Sequence, residues 1–217
     1  MSERINEIQN ISIRKKIFYF VILLLIYFVV SLPFKAMTVI PGFTDIRPVT
    51  MLQPIYGVFF GVPGCLVVAV GNLISDILSD SLRWSSIAGF AANFLGPLIF
   101  YIFWTRISRE QFNLRNVKNI FKYIVLCVIV AVVEDVIITP FVAMFYPDVA
   151  YKTFSMIVLF NTALFPILLG IPIMILMQEE LGFKPLRGKK QTPPGESADG
   201  EARQESAGGE APEGEKH

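Results

Sequence analysis

Residues 50–80 read TMLQPIYGVFFGVPGCLVVAVGNLISDILSD, and the way this stretch divides decides the fold. It is apolar on both sides of a Gly-Val-Pro-Gly step at 61–64, and glycine beside proline is a turn signal. The step predicts two short spans, 50–62 and 65–80, meeting in a tight helical hairpin; the alternative is one long broken helix. Neither piece reaches the roughly 20 apolar residues of a perpendicular membrane crossing, so both need tilt or shielding by neighbours.

Four further apolar segments flank this pair, at 17–34, 86–105, 120–145 and 154–177. Hydrophobic residues make up 53% of the 217 and charged residues 17%, which is the composition of a chain that lives in lipid. The expected fold class is therefore all-α: a polytopic membrane protein with six transmembrane helices over 17–178. A cytoplasmic segment, 1–16, precedes it, and a linker with an acidic tail, 179–217, follows. Residues 188–217 contain no Val, Ile, Leu, Met or aromatic side chain, cannot bury enough apolar surface to offset ordering entropy, and read as a disordered tail. The run from Ile17 to Phe34 follows Arg14, Lys15 and Lys16, as a signal peptide would. It lacks a small-residue cleavage site and more spans come after it, so it reads as the first membrane helix.

Orientation follows from the basic residues beside short loops, which favour the cytoplasm. They are Arg14, Lys15 and Lys16, then Arg106, Arg109, Arg115, Lys118 and Lys122, then Lys184, Arg187, Lys189 and Lys190. With six spans this places both termini inside the cell and the chain in the plasma membrane. The net charge of +1 arises from a basic bias next to the spans and an acidic one in the tail, and points to no charged partner. Cys65 and Cys127 form no metal-ligand pattern and the single histidine is His217, which argues against a metal centre, a Cys-His pair or a Ser-His-Asp triad. No cofactor, no catalytic residue and no nucleic-acid partner are expected.

Polar residues at bilayer depth are costly and are functional candidates for that reason. Asn72, Asp76 and Asp80 recur every four residues on one face of the third span; Gln53 opens the second, Asn93 lies in the fourth, Glu134 and Asp135 in the fifth, and Asn161 in the sixth. In the predicted topology these groups fall between mid-membrane and the outer half, where the loop PGFTDIRP adds Asp45 and Arg47. The candidate ligand-binding set is therefore Arg47, Gln53, Asn72, Asp76, Asn93, Glu134, Asp135 and Asn161, with Asp76 foremost and Arg83 and Trp84 at the rim. The competing reading makes the asparagines interhelical hydrogen-bond glue. Glu134 and Asp135 sit about 100° apart on a helix, so they cannot share one pocket with equal geometry. Gly57 with Gly61, and Gly89, Asn93 and Gly96, form small-residue faces that suit close packing.

The stretch PGFTDIRPVTMLQPIYGVFFGVPGCLVVAVGNLISDIL (41–78), continued by IAGFAANFLGPLIFYIFW (87–104), resembles the substrate-binding components of energy-coupling factor transporters, small six-helix membrane proteins. The likeness covers residues 37–105 by pattern and the remainder by helix count and topology. It implies capture of a vitamin-like or cationic micronutrient at the outer face, with a membrane coupling subunit and ABC-type ATPases as partners. Energy has to come from such partners, because the chain contains no GxxxxGK[ST] motif. The family commonly carries an AxxxA-like face on its first helix, whereas IFYFVILLLIYFVVS here has neither alanine nor glycine. A membrane sensor or scaffold built on the same six-helix domain is the second reading. An intramembrane enzyme using Glu134, Asp135 or Asp76 is the third, and is disfavoured for want of any histidine in the spans.

Overall fold

In the computed structural model, residues 13–36, 38–40, 44–108 and 112–186 are described. The first helix, α1 (Ile13–Ser31), runs into a short 3-10 turn, and a minimal antiparallel ribbon follows, β1 (Thr38–Ile40) with β2 (Thr44–Asp45). A second 3-10 turn (Pro48–Met51) leads into α2 (Leu52–Leu78), which is broken at Gly61. Then come α3 (Ser85–Ile102), extended by a π turn to Ile107, and α4 (Val117–Phe145). The last pair, α5 (Tyr151–Phe165) and α6 (Ile171–Glu179), is joined by a π turn at Pro166–Gly170. Among the described residues five helical stretches are long and apolar enough to cross a membrane: Ile13–Phe34, Pro48–Leu78, Ser85–Ile107, Val117–Phe145 and Tyr151–Glu179.

The expected six spans thus become five, and the difference lies entirely in α2. Gly61 adopts φ 61°, ψ −141°, a conformation that side chains exclude and glycine tolerates. The chain doubles back there. Arg47 hydrogen-bonds Asn72, although 25 residues of continuous helix would separate them by roughly 37 Å. Any side chain at Gly64 would likewise strike the Tyr56 carbonyl oxygen, eight residues earlier. The predicted hairpin is present as two arms, 48–60 and 62–78. The first, at about 20 Å, is shorter than a 30 Å hydrocarbon layer and does not qualify as a span by itself.

The tip of the hairpin rests on aromatic side chains. Phe59 meets Phe112 and Phe183 edge-on at 6.1 and 6.4 Å, and Phe112 stacks against Trp104 at 4.9 Å. Leu186 N donates to Val58 O at 3.0 Å, so the segment after α6 straps the tip. The 62–78 arm runs parallel to α1: the Tyr27 ring covers Gly71, and the Ser31 and Ser75 hydroxyls lie 3.1 Å apart. Tyr56 of the other arm donates its hydroxyl to Leu23 O at 2.7 Å. Across the bundle, Gly57 lies against the backbone of Pro97 so closely that a methyl group would collide with the Pro97 carbonyl oxygen. Gly57 is therefore a packing residue, as the small-residue spacing suggested, whereas Gly61 serves the reversal of the chain.

Replacing Gly57 or Gly61 with Ala is expected to destabilise the detergent-solubilised protein by about 1–3 kcal/mol, the first by overpacking and the second by backbone strain. Thermal unfolding followed by size-exclusion chromatography measures this, with the exposed Val62→Ala as control; parental stability in Gly61→Ala would mean that the turn does not hold the hairpin.

Candidate functional site

Pro48 and the 3-10 turn after it place Gln53 in the first turn of α2, pointing into the bundle, where it is 1% exposed. Its Nε2 donates to Glu134 Oε1 at 2.7 Å and makes a long contact with Asn93 Oδ1 at 3.4 Å. Asn93 turns that oxygen inward because its own amide donates to Gly89 O at 2.8 Å. Glu134, 3% exposed, accepts a second bond from Thr162 Oγ1 at 3.1 Å. Gly96 leaves the room for this pair: a methyl group there would stand 2.8 Å from Gln53 Oε1 and closer still to Glu134 Oε1.

A second arc begins at Arg47. Its guanidinium donates to Asn72 Oδ1, its backbone N–H donates to Asn161 Oδ1 at 3.1 Å, and it is the cation acting on the Glu134 carboxyl. Thr50 Oγ1 donates to Asn161 O at 2.7 Å and lies 2.9 Å from Arg47 O. Six of the eight sequence candidates, Arg47, Gln53, Asn72, Asn93, Glu134 and Asn161, therefore gather in one buried constellation fed by α2, α3, α4 and α5. Gln53 and Asn72 stand eight and eleven residues from the turn at Gly61, or about 12 and 16 Å along their arms, close to half of a 30 Å layer.

The other two candidates make different contacts. Asp76 lies one helical turn beyond Asn72, half-buried at the α2–α3 corner, and accepts from Ser86 Oγ at 3.0 Å. Asp135 accepts from Thr139 Oγ1 at 2.6 Å and Ser155 Oγ at 2.8 Å, forming a separate tie between α4 and α5. At the same end, Arg83 stacks over the Tyr146 ring at 5.9 Å and Trp84 N donates to Tyr146 Oη at 3.2 Å, which joins two connecting loops. The Asp45 side chain, residues 41–43, Arg109, residues 1–12 of the predicted N-terminal segment and residues 187–217 of the predicted linker and tail, with Arg187, Lys189 and Lys190, lie outside the described residues; residues 13–16, predicted to precede the first span, form the first turn of α1. Thr50, Thr162 and Gly96 had no distinguishing sequence signal: an isolated threonine in an apolar span is ordinary, and Gly96 read as a packing residue.

Within the constellation one atom is left over, as is Trp104 Nε1 in the apolar core outside it. Gln53 Oε1 is buried and has no hydrogen-bond partner among the described residues, although an unsatisfied buried acceptor costs about 1–3 kcal/mol. The constellation thus holds an unsatisfied acceptor beside the Glu134 carboxyl, both almost wholly buried, and the chemistry that would satisfy it is an N–H or ammonium donor. No group of acidic, cysteine or histidine residues among the described residues is arranged to hold a metal ion. Comparison with protein-family models, with characterised proteins and with solved structures gives no match.

Replacing Glu134 with Leu strands the Gln53 and Thr162 donors and is expected to cost about 1–3 kcal/mol of stability. Gln53→Leu is expected to cost a similar amount, and the double variant less than the sum, with a coupling of about 0.5–3 kcal/mol. Unfolding in detergent of the four proteins completes the cycle; strict additivity would mean that the two side chains do not interact.

Proposed function

We propose that this chain is a substrate-binding membrane subunit that takes up a small vitamin-like ligand, cationic or zwitterionic, through the constellation centred on Gln53 and Glu134. The observation that carries this reading is the unpartnered Gln53 Oε1, buried beside Glu134. A purely structural network would gain by satisfying that acceptor, whereas a binding site leaves it for its ligand. The Arg47 clamp sits directly after the connecting ribbon, so the entry side is the end that carries Arg83 and Trp84. In this reading the hairpin arms count as two passes. The chain then crosses the plasma membrane six times, with the basic ends at Lys15, Arg106 and Lys184 in the cytoplasm. Transport requires partner ATPases and a coupling subunit of the energy-coupling factor type.

The second reading, a sensor or scaffold that binds without transporting, draws on α1. Its outward side chains Ile17, Phe18, Tyr19, Leu25 and Val29 are bulky and exposed, with no small-residue face for close docking of a coupling helix.

Affinity purification from the native host in mild detergent, followed by mass spectrometry, separates the two. Recovery of a membrane coupling subunit with ATPases is the expected result. Their reproducible absence would sink the importer reading and leave the sensor. In either case Gln53→Leu is expected to weaken binding of the ligand that copurifies by about tenfold, which is 1.4 kcal/mol.

A further inference from the structure

A groove of about 210 Å³ runs along the outside of the bundle between the end of α3 and the first half of α4, lined by Phe103, Phe121, Lys122, Val125, Leu126 and Ile129. Its chemistry is graded along the helix. Lys118, Lys122, Val125 and Ile129 follow one another at spacings of four, three and four, and so share one face of α4. The two cations occupy the first two turns and the apolar residues the next two. From Lys118 to Ile129 the face is about 16 Å long. Across the groove the π turn Phe103–Ile107 brings Arg106, exposed, to the same end.

We propose that this groove binds an anionic phospholipid, its phosphate at Lys118 and Lys122 and one acyl chain along Phe121, Val125 and Ile129. The apolar wall alone fits any lipid; the basic head of the stripe selects the charge, each cation near a membrane surface adding to the attraction for anionic headgroups. A concave wall distinguishes this site from the first turn of α1. There Arg14, Lys15 and Lys16 are equally basic, but they lead into the exposed side chains of Ile17, Phe18 and Tyr19.

The test uses the full chain in detergent, with added phosphatidylglycerol or phosphatidylcholine of identical acyl chains, read by native mass spectrometry and thermal unfolding. Phosphatidylglycerol is expected to bind about tenfold more tightly and to raise the unfolding temperature. Lys118→Gln with Lys122→Gln is expected to remove that preference, Val125→Trp to block both lipids by filling the groove, and Lys15→Gln with Lys16→Gln to change nothing. Equal binding of the two lipids by the parent would overturn the proposal. So would an equal loss in the α1 control, which would reveal a general attraction to a basic surface.

Discussion

A carboxyl that is 3% exposed inside a bundle of apolar helices must be surrounded by donors, because no water is at hand to hydrogen-bond it. Glu134 meets that requirement with groups from different parts of the chain: Gln53 from the short arm of α2, Thr162 from α5, and the field of Arg47 from the loop before α2. Asn93 extends the set into α3 and Asn72 into the long arm of α2. Apolar surface makes these helices associate, but it is tolerant of sliding and rotation. The polar ring is not tolerant, since a shift of one residue in α4 rotates Glu134 by about 100° and takes it away from its partners. Relative register is therefore set by the same atoms that form the candidate site. Helix α1 stands outside this ring, held by Tyr27, Ser31 and the carbonyl of Leu23.

The ring closes only because the chain reverses at Gly61. Arg47 and Asn72 would lie at opposite ends of an unbroken helix; folded back, they become neighbours. The short arm has a consequence of its own, since the loop that leads into it packs inside the bundle. Arg47 and Thr50, loop and first-turn residues, thereby bond with Asn161 and become part of the interior. An arm of full length would have left them at the surface. Shortness of the second span and depth of the site are one structural fact.

The apolar runs and the Gly-Val-Pro-Gly turn were legible because hydrophobicity and backbone freedom are local properties of the sequence. The count of five qualifying helices differs from six because a length criterion sees α2 as one element, while its reversal is a matter of a single φ angle. The site was legible in part for a different reason: in lipid, a rare polar residue is conspicuous without knowledge of its neighbours. What faces each one across the bundle is not written beside it in the chain. Asp76 stacks over Asn72 on one helical face, and that periodicity made it the foremost candidate; that Ser86, across the α2–α3 corner, donates to its carboxylate could not be read from the spacing. Glu134 and Asp135 were known to diverge. Which of them turns inward is decided by Gly96 and Thr162 on α3 and α5, residues that carry no chemical signature alone.

The bulk of α1 constrains how any partner can dock on it. Small residues let helix backbones approach closely in lipid, and a partner docking on Phe18, Tyr19 and Leu25 meets large exposed side chains instead. Under the proposed importer reading, a coupling subunit would have to fill the spaces between those side chains or dock at the end where the hairpin tip, the π turn of α3 and the segment from Leu181 to Leu186 converge. The second route would put the partner on the same element as the polar ring, since the short arm of α2 carries Gln53 near its start and Phe59 and Phe60 at its tip, with about 12 Å of helix from Gln53 to the turn at Gly61.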